Sequence, residues 1–253
     1  MKDRMPVLFI GHGSPMNAIE DNQYSRSWEK LGSEIKPKAI LAVSAHWATD
    51  GQCVRPDEDN KQINDMYGFP EELYRLDYKA KGDPELALRV EEMLGCKLDS
   101  RWGLDHGVWS VLHRMYPLHD VPVVMLSTDM SASDETLYER GEALKTLRDE
   151  GVLILASGNV VHNLSLIDFS MGEKGYPSAE RFDSDVIKAV KAKDMKRLSK
   201  LFHEKHAPES IGMGDHFRPL FYSLGAGEDS KEIRSFNEGC IVGSLSMTSF
   251  IFE

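Results

Sequence analysis

The chain has 253 residues, 41% of them hydrophobic and 28% charged, with a formal net charge of −11. This is ordinary globular usage with enough chain to bury a core, and the acidic balance, with no long Lys/Arg run, argues against nucleic acid or an anionic membrane surface as a partner. Cys53, Cys96 and Cys240 lie far apart with no C-x-x-C pair, the apolar run "MPVLFI" is short for a signal peptide, and no stretch approaches the ~20 apolar residues of a membrane span, so a soluble, cytoplasmic protein with reduced thiols is expected.

In chain order, "PVLFI" (6–10) reads as a buried strand and is followed at once by "GHGSPMN" (11–17), which sets His12 between two glycines. "AILAVSA" (39–45) reads the same way and is followed by His46. Residues 50–82, rich in Asp, Gly, Pro and Tyr, form a long excursion of the kind that often carries function. "PELALRVEEML" (84–94) is helical, with Pro in its first turn. In "WGLDHGVWSVL" (102–112), Asp105-His106-Gly107 precede a helical pattern. Their role is open between a helix cap and a histidine reaching into a site.

"VPVVMLS" (121–127) is a third strand, "SDETLYERGEALKTLRDEG" (133–151) a helix with a cap signal at each end, and "GVLILAS" (151–157) a fourth strand running into "GNVVHN" and His162. "SAERFDSDVIKAVKAKD" (178–194) is helical, "GMGDHFRPL" places His216 before an apolar helical stretch, and "CIVGSLSMTSFIF" (240–252) reads as a further strand. Strands alternating with helices, without repeat or linker, predict one α/β domain over residues 1–253, with a central mainly parallel or mixed sheet flanked by helices.

The histidines carry the functional signal. His12, His46 and His162 each fall just past a strand's C-terminal end, where open α/β sheets place their ligand sites. There they would converge, with His216, on one edge of the sheet. A single such histidine is ordinarily a hydrogen-bonded loop residue; the recurrence at one topological position points to a metal. No cysteine accompanies them, which disfavours a closed structural zinc site. A catalytic zinc, iron, copper or nickel ion fits, polarising a substrate or activating oxygen or water. Both an oxygen-using enzyme and a zinc hydrolase with the same four histidines satisfy this, although no Glu or Asp stands out as the hydrolase's base. A non-catalytic metal- or ligand-binding module is the third reading. "HEKH" (203–206) is one residue short of H-E-x-x-H and reads as a solvated helix end, and His113 and His119 read as surface or packing residues.

Taken in order, "GHGSPMN", "SAHW", "YGFP", "LDHGVW", "GNVVHN" and "DHFRPLFYSLGA" resemble the class III extradiol ring-opening dioxygenases of the DOPA dioxygenase (DODA) type, over residues 11 to about 226. The resemblance implies a mononuclear non-haem Fe(II) site. His12 and His46 match two ligands, and His216 stands where the wider family has a glutamate. Such an all-histidine set also suits zinc. His162 matches the family's base, close enough to count as a fourth metal ligand, and His106 matches a second active-site histidine. Asn64 stands where the family often has a histidine, just before the Asp-x-x-Gly-Phe-Pro tract, a departure that bears on substrate contacts. The implied reaction takes O2 and a small catechol, DOPA or another: His162 accepts a hydroxyl proton, the ring opens beside the hydroxyls, and His106 or His162 returns a proton. A monomer or small homo-oligomer is expected.

Overall fold

The computed structural model describes residues 4–253. Its first half runs β1 (Val7–Gly11), α1 (Gln23–Glu34), β2 (Ala39–Thr49), β3 (Cys53–Val54), α2 (Glu71–Tyr74), α3 (Pro84–Leu94), β4 (Lys97–Leu98), α4 (His106–Met115) and β5 (Val123–Asp129). The second half runs α5 (Asp134–Leu144), β6 (Val152–Gly158), α6 (Pro177–Lys191), α7 (Met195–Phe202), α8 (Ala207–Ile211), α9 (Pro219–Ala226), β7 (Ile233–Phe236), β8 (Cys240–Ile241), β9 (Leu245–Ser246) and β10 (Ser249–Phe252).

The continuous apolar runs are strands because both faces of the sheet are covered. β1, β5 and β6 are buried at every residue, as expected for central parallel strands. The eight-stranded sheet has the order β4-β3-β5-β2-β6-β1-β10-β7. β5, β2, β6 and β1 are mutually parallel, and β10 and β7 add antiparallel strands beyond β1, so the sheet is mixed. Side chains alternate between two core layers. Val7 and Phe9 pack with Leu137 of α5, Val186 of α6 and Leu220 of α9. Leu8 and Ile10 pack on the opposite face with Trp28 of α1 and Trp109 and Leu112 of α4. The result is one α/β domain. Among the described residues no helix is long and apolar enough to cross a membrane, and the three cysteines are buried and free.

The helix caps follow local chemistry. Asp83 accepts from Leu86 N–H ahead of Pro84, and Ser133 accepts from Thr136 N–H at the start of α5. α5 stops at Leu144 and continues as 3-10 turns to Glu150. Two expectations need correction. The run 240–252 is not one strand: the backbone breaks at Val242 and Gly243, with φ of 44° and 85°, leaving β8, β9 and β10 as short pieces. β2 extends past the end expected for it, to Thr49, and its register against β5 shifts between Ser44 and Ala48. His46 lies within that shift, where an irregularity re-aims a side chain.

The 3-10 turn after α5 carries Arg148, which is 2% exposed. Its guanidinium donates from Nε to Met5 O (2.8 Å), from Nη1 to Ala226 O and Asp229 Oδ1 (3.0 and 3.1 Å), and from Nη2 to Ser230 Oγ and Phe252 O (3.2 and 3.4 Å). This hub sits at the N-terminal edge of the parallel strands, opposite the histidines.

A candidate metal centre

Local backbone chemistry aims each histidine. After β1 the chain turns through Gly13 at φ 60°, where an added Cβ would lie 2.3 Å from Met247 Sδ. Asn17 Nδ2 holds the His12 carbonyl at 3.1 Å and fixes the turn. The N-terminus of α4 comes up against the same rings: a Cβ on Gly107 would meet His46 Cδ2 at 2.8 Å and the His12 ring at 3.2 Å. Only a residue without Cβ permits that approach. Asp105 precedes the helix, but its carboxylate is taken by Ser44 Oγ and Trp102 Nε1. Asp65, from the long excursion, accepts from His106 N–H at 2.9 Å instead and so caps α4 from a distance. His162 is held through its N–H to Ser210 O (2.8 Å) and a bridge to Leu245. His216 is held by its carbonyl, which accepts from Asn159 N–H.

The five histidines at 12, 46, 106, 162 and 216 line one cavity of about 570 Å³. His12 Nε2 lies 3.2 Å from His46 Nε2, which lies 3.3 Å from His216 Nε2. The opposite ring nitrogens face oxygens. Ser157 Oγ donates to Gly107 O and therefore accepts from His12 Nδ1–H at 2.9 Å. This fixes the tautomer and leaves Nε2 with a bare lone pair. His46 Nδ1 is 3.2 Å and His106 Nδ1 3.0 Å from the two oxygens of Asp65, and His216 Nδ1 is 3.1 Å from Asp215 Oδ1. At all three the approach is close without a hydrogen bond, since Asp65 Oδ2, His106 Nδ1 and His216 Nδ1 have no hydrogen-bond partner; the carboxylates act there chiefly through charge.

Burial, reinforced by the neighbouring imidazoles, holds His12 and His216 well below the ordinary histidine range. Burial, with His106 beside it, takes His46 down to about 3, and burial takes His162 down to about 4. Burial alone would lift Asp65, but its contacts with His106 outweigh it and hold the carboxyl below its usual range. Burial and the neighbouring Asp65 charge push Asp105 up to about 6. The rings of His12, His46, His162 and His216 are therefore neutral at pH 7. Imidazole nitrogens on a tetrahedral ion at about 2.0–2.1 Å stand about 3.3 Å apart, which is the spacing here. His12, His46 and His106 offer ligand atoms within 4.8 Å of one another, as do His162, Asp215 and His216, so either group could hold a metal ion.

His162 stands differently. Its ring stacks on His216 with centroids 3.4 Å apart and planes 6° from parallel. Its ring nitrogen, with Asp215 and His216, forms one of the groups that could hold a metal ion. His106 packs on His46 at 4.0 Å between centroids. All five histidines picked out in the sequence are thus in one cavity. His203 pairs with Asp134 and His206 with Glu209 near the surface, away from the cavity. Sequence reading missed the supports: Asp65, Ser157 and Asp215. Asp65 and Asp215 had a signal, since they begin the Asp-x-x-Gly-Phe-Pro tract and "DHFRPLFYSLGA"; Ser157 had none beyond ending a strand.

Residues 6–242 match the family described as the catalytic LigB subunit of aromatic ring-opening dioxygenase. The 4,5-DOPA dioxygenase extradiol of Escherichia coli (strain K12) is 44% identical, covering 97% of this chain and 94% of the relative. That of Beta vulgaris is 40% identical, covering 97% and 96%. A crystal structure of an uncharacterized protein from Escherichia coli K12 superposes with a TM-score of 0.85 at 39% identity, covering 99% of this chain and 100% of that one. The chain belongs to the LigB family of aromatic ring-opening dioxygenases, and within it to the extradiol, DOPA dioxygenase type.

Proposed function

We propose that this extradiol dioxygenase opens the ring of a small catechol, DOPA or a related compound, with O2, at a divalent metal held by His12, His46 and His216. The observation that carries the reading is the 3.2 and 3.3 Å spacing of His46 Nε2 from the Nε2 atoms of His12 and His216, all on neutral rings. Fe(II) bound there would hold catechol and O2 together and relay electrons between them, a redox role that zinc cannot fill. Family membership sets aside the hydrolase reading of the same histidines.

His162 is the base in this reading and stands close enough to the metal site to count as a fourth ligand. Its stack on His216 keeps it beside the metal ligands, and its lowered pKa keeps a lone pair available at neutral pH to accept a catechol proton. His106 is the second proton carrier in this reading: it lines the same cavity, packs on His46, and has an Asp65 oxygen 3.0 Å from its Nδ1. The overall reaction places both atoms of O2 in the product as one ring C–C bond breaks. A cytoplasmic location and a monomer or small homo-oligomer complete the reading; the buried free thiols suit a reducing compartment.

The test is oxygen uptake after metal removal and anaerobic reconstitution with Fe(II) or Zn(II), on a catechol panel led by DOPA. Uptake with iron only, accompanied by a yellow ring-opened product, is expected. No uptake on any catechol by protein with bound iron would sink the reading.

A further inference from the structure

Three buried serines stand in one row across the C-terminal ends of adjacent parallel strands: Ser127 of β5, Ser44 of β2 and Ser157 of β6 are in register. Ser157 serves His12, as described above. Ser44 serves His46. Its Oγ accepts from His46 N–H at 3.1 Å, and its own hydrogen goes to Asp105 Oδ1 at 2.8 Å. The first direction is fixed because a backbone N–H can only donate. Ser44 is also the last residue of β2 in regular register with β5; the next paired residue is Ala48. Thr128 Oγ1 secures the same point by donating to Ser44 O at 2.8 Å. Asp105 is buried and takes a second bond from Trp102 Nε1 at 2.9 Å. It stands at the N-cap of α4, yet its side chain makes no cap there.

We propose that Ser44 is a positioning residue of the metal centre: it holds the His46 backbone in the break of β2 and, through Asp105, ties that backbone to the start of the helix that carries His106. This rests on the metal-centre reading above and adds how one of its ligands is aimed. A serine hydroxyl that binds the N–H two residues on competes with the sheet ladder for that group. His46 N–H is thereby taken from strand pairing, residues 45–47 leave the ladder with β5, and the irregularity turns the side chain. Asp105 gives the hydroxyl hydrogen a fixed acceptor, so the lone pair stays aimed at His46. In doing so it forgoes the helix cap that its position offers. Ser157 repeats the pattern on the next strand, donating to Gly107 O and accepting from His12 Nδ1–H. Each of these two serines therefore binds the start of α4 through its hydrogen and a histidine through its lone pair, which keeps His12, His46 and α4 at one spacing. Ser127, third in the row, serves β3 instead, accepting from Cys53 N–H at 2.8 Å.

Co(II) binding to the full chain tests this without turnover. Chelator competition reads the affinity, and the visible d–d band of bound Co(II) reads the ligand geometry. Ser44→Ala is expected to bind Co(II) about 10–100-fold more weakly with a shifted band, whereas Ser127→Ala, the same deletion one strand over, is expected to stay within about threefold of the parent while losing comparable stability. Parent affinity and an unshifted band in folded Ser44→Ala would overturn the inference and leave the metal centre standing. An equal loss of affinity in Ser127→Ala would overturn it too, since general softening of the sheet would then be the cause. If Ser44→Ala does not fold, Ser44→Cys, similar in shape but a weak acceptor, carries the same expectation and the same overturning result. Absence of Co(II) binding by the parent would overturn the metal reading itself, and the inference with it.

Discussion

The two ends of the parallel strands bury polar groups to the same depth and to opposite effect. At the N-terminal edge, Arg148 is 2% exposed and every nitrogen of its guanidinium has an acceptor. At the C-terminal edge, His12 is 1% and His216 4% exposed, and their Nε2 atoms stand 3.2 and 3.3 Å from that of His46. A buried group with all its partners stiffens a fold. A buried group whose partner must arrive from outside is a binding site. The strand ends are thus divided between stability and chemistry, with the sheet holding them apart.

The sharpest break of this comparison is at His46. His46→Ala should abolish tight metal binding and cut oxygen uptake at least ~1,000-fold, while the midpoint of denaturation moves less than in an Arg148 variant; metal titration and chemical unfolding together check this. The converse variant, Arg148→Met, should cost about 3–5 kcal/mol by leaving buried carbonyls and Asp229 without their donor, with kcat/KM of the folded protein unchanged. If Arg148→Met lost activity at full stability, the separation of the two ends would be wrong. A third variant, Ser157→Ala, removes the acceptor that fixes the His12 tautomer, and about 10–100-fold weaker metal affinity is expected, read by competition with a coloured chelator. Unaltered affinity would show that the ring needs no such guide.

The smallest effect concerns Asp183 of α6, which accepts from Ser246 and Thr248 at 2.6 and 2.8 Å behind the cavity wall. Burial pushes its carboxyl up to about 6. A raised carboxyl pKa means that the folded state holds the proton more tightly than the unfolded one. The stability due to this group is therefore complete below pH ~4, falls as pH rises to about 6, and is flat above that. Asp183→Asn removes that loss, so the melting temperature of the variant minus that of the parent should climb by a few degrees, on the order of 2–4 °C per kcal/mol, between pH 4 and pH 6.5. A constant difference would mean that Asp183 titrates normally.

Much of this was legible in the residues. The four central strands and α3 lie where their apolar runs and Pro84 indicated, because continuous hydrophobicity and local caps act over a few residues. The five histidines were visible because topology repeats at strand ends. The partners of those histidines were not. Asp65 meets His106 from 41 residues away and Ser157 meets His12 from 145, and such contacts are set by how elements pack rather than by local pattern. α1 escaped notice because its start is a capping box of Asn22 and Ser25 in a polar stretch, without a strong apolar run. The register shift that turns His46 depends on how β2 meets β5, which neither segment encodes alone.

The guanidinium of Arg148 joins Met5 to Phe252, and β1 pairs with β10 from Val7 opposite Phe252. On the ribosome these partners emerge about 245 residues apart, an interval of roughly 12–50 s at 5–20 residues per second. Through that interval β1 has β6 on one side at best and a bare edge on the other, an invitation to foreign strands. Chaperone occupancy of the nascent chain should therefore persist until β10 has emerged to cover that edge.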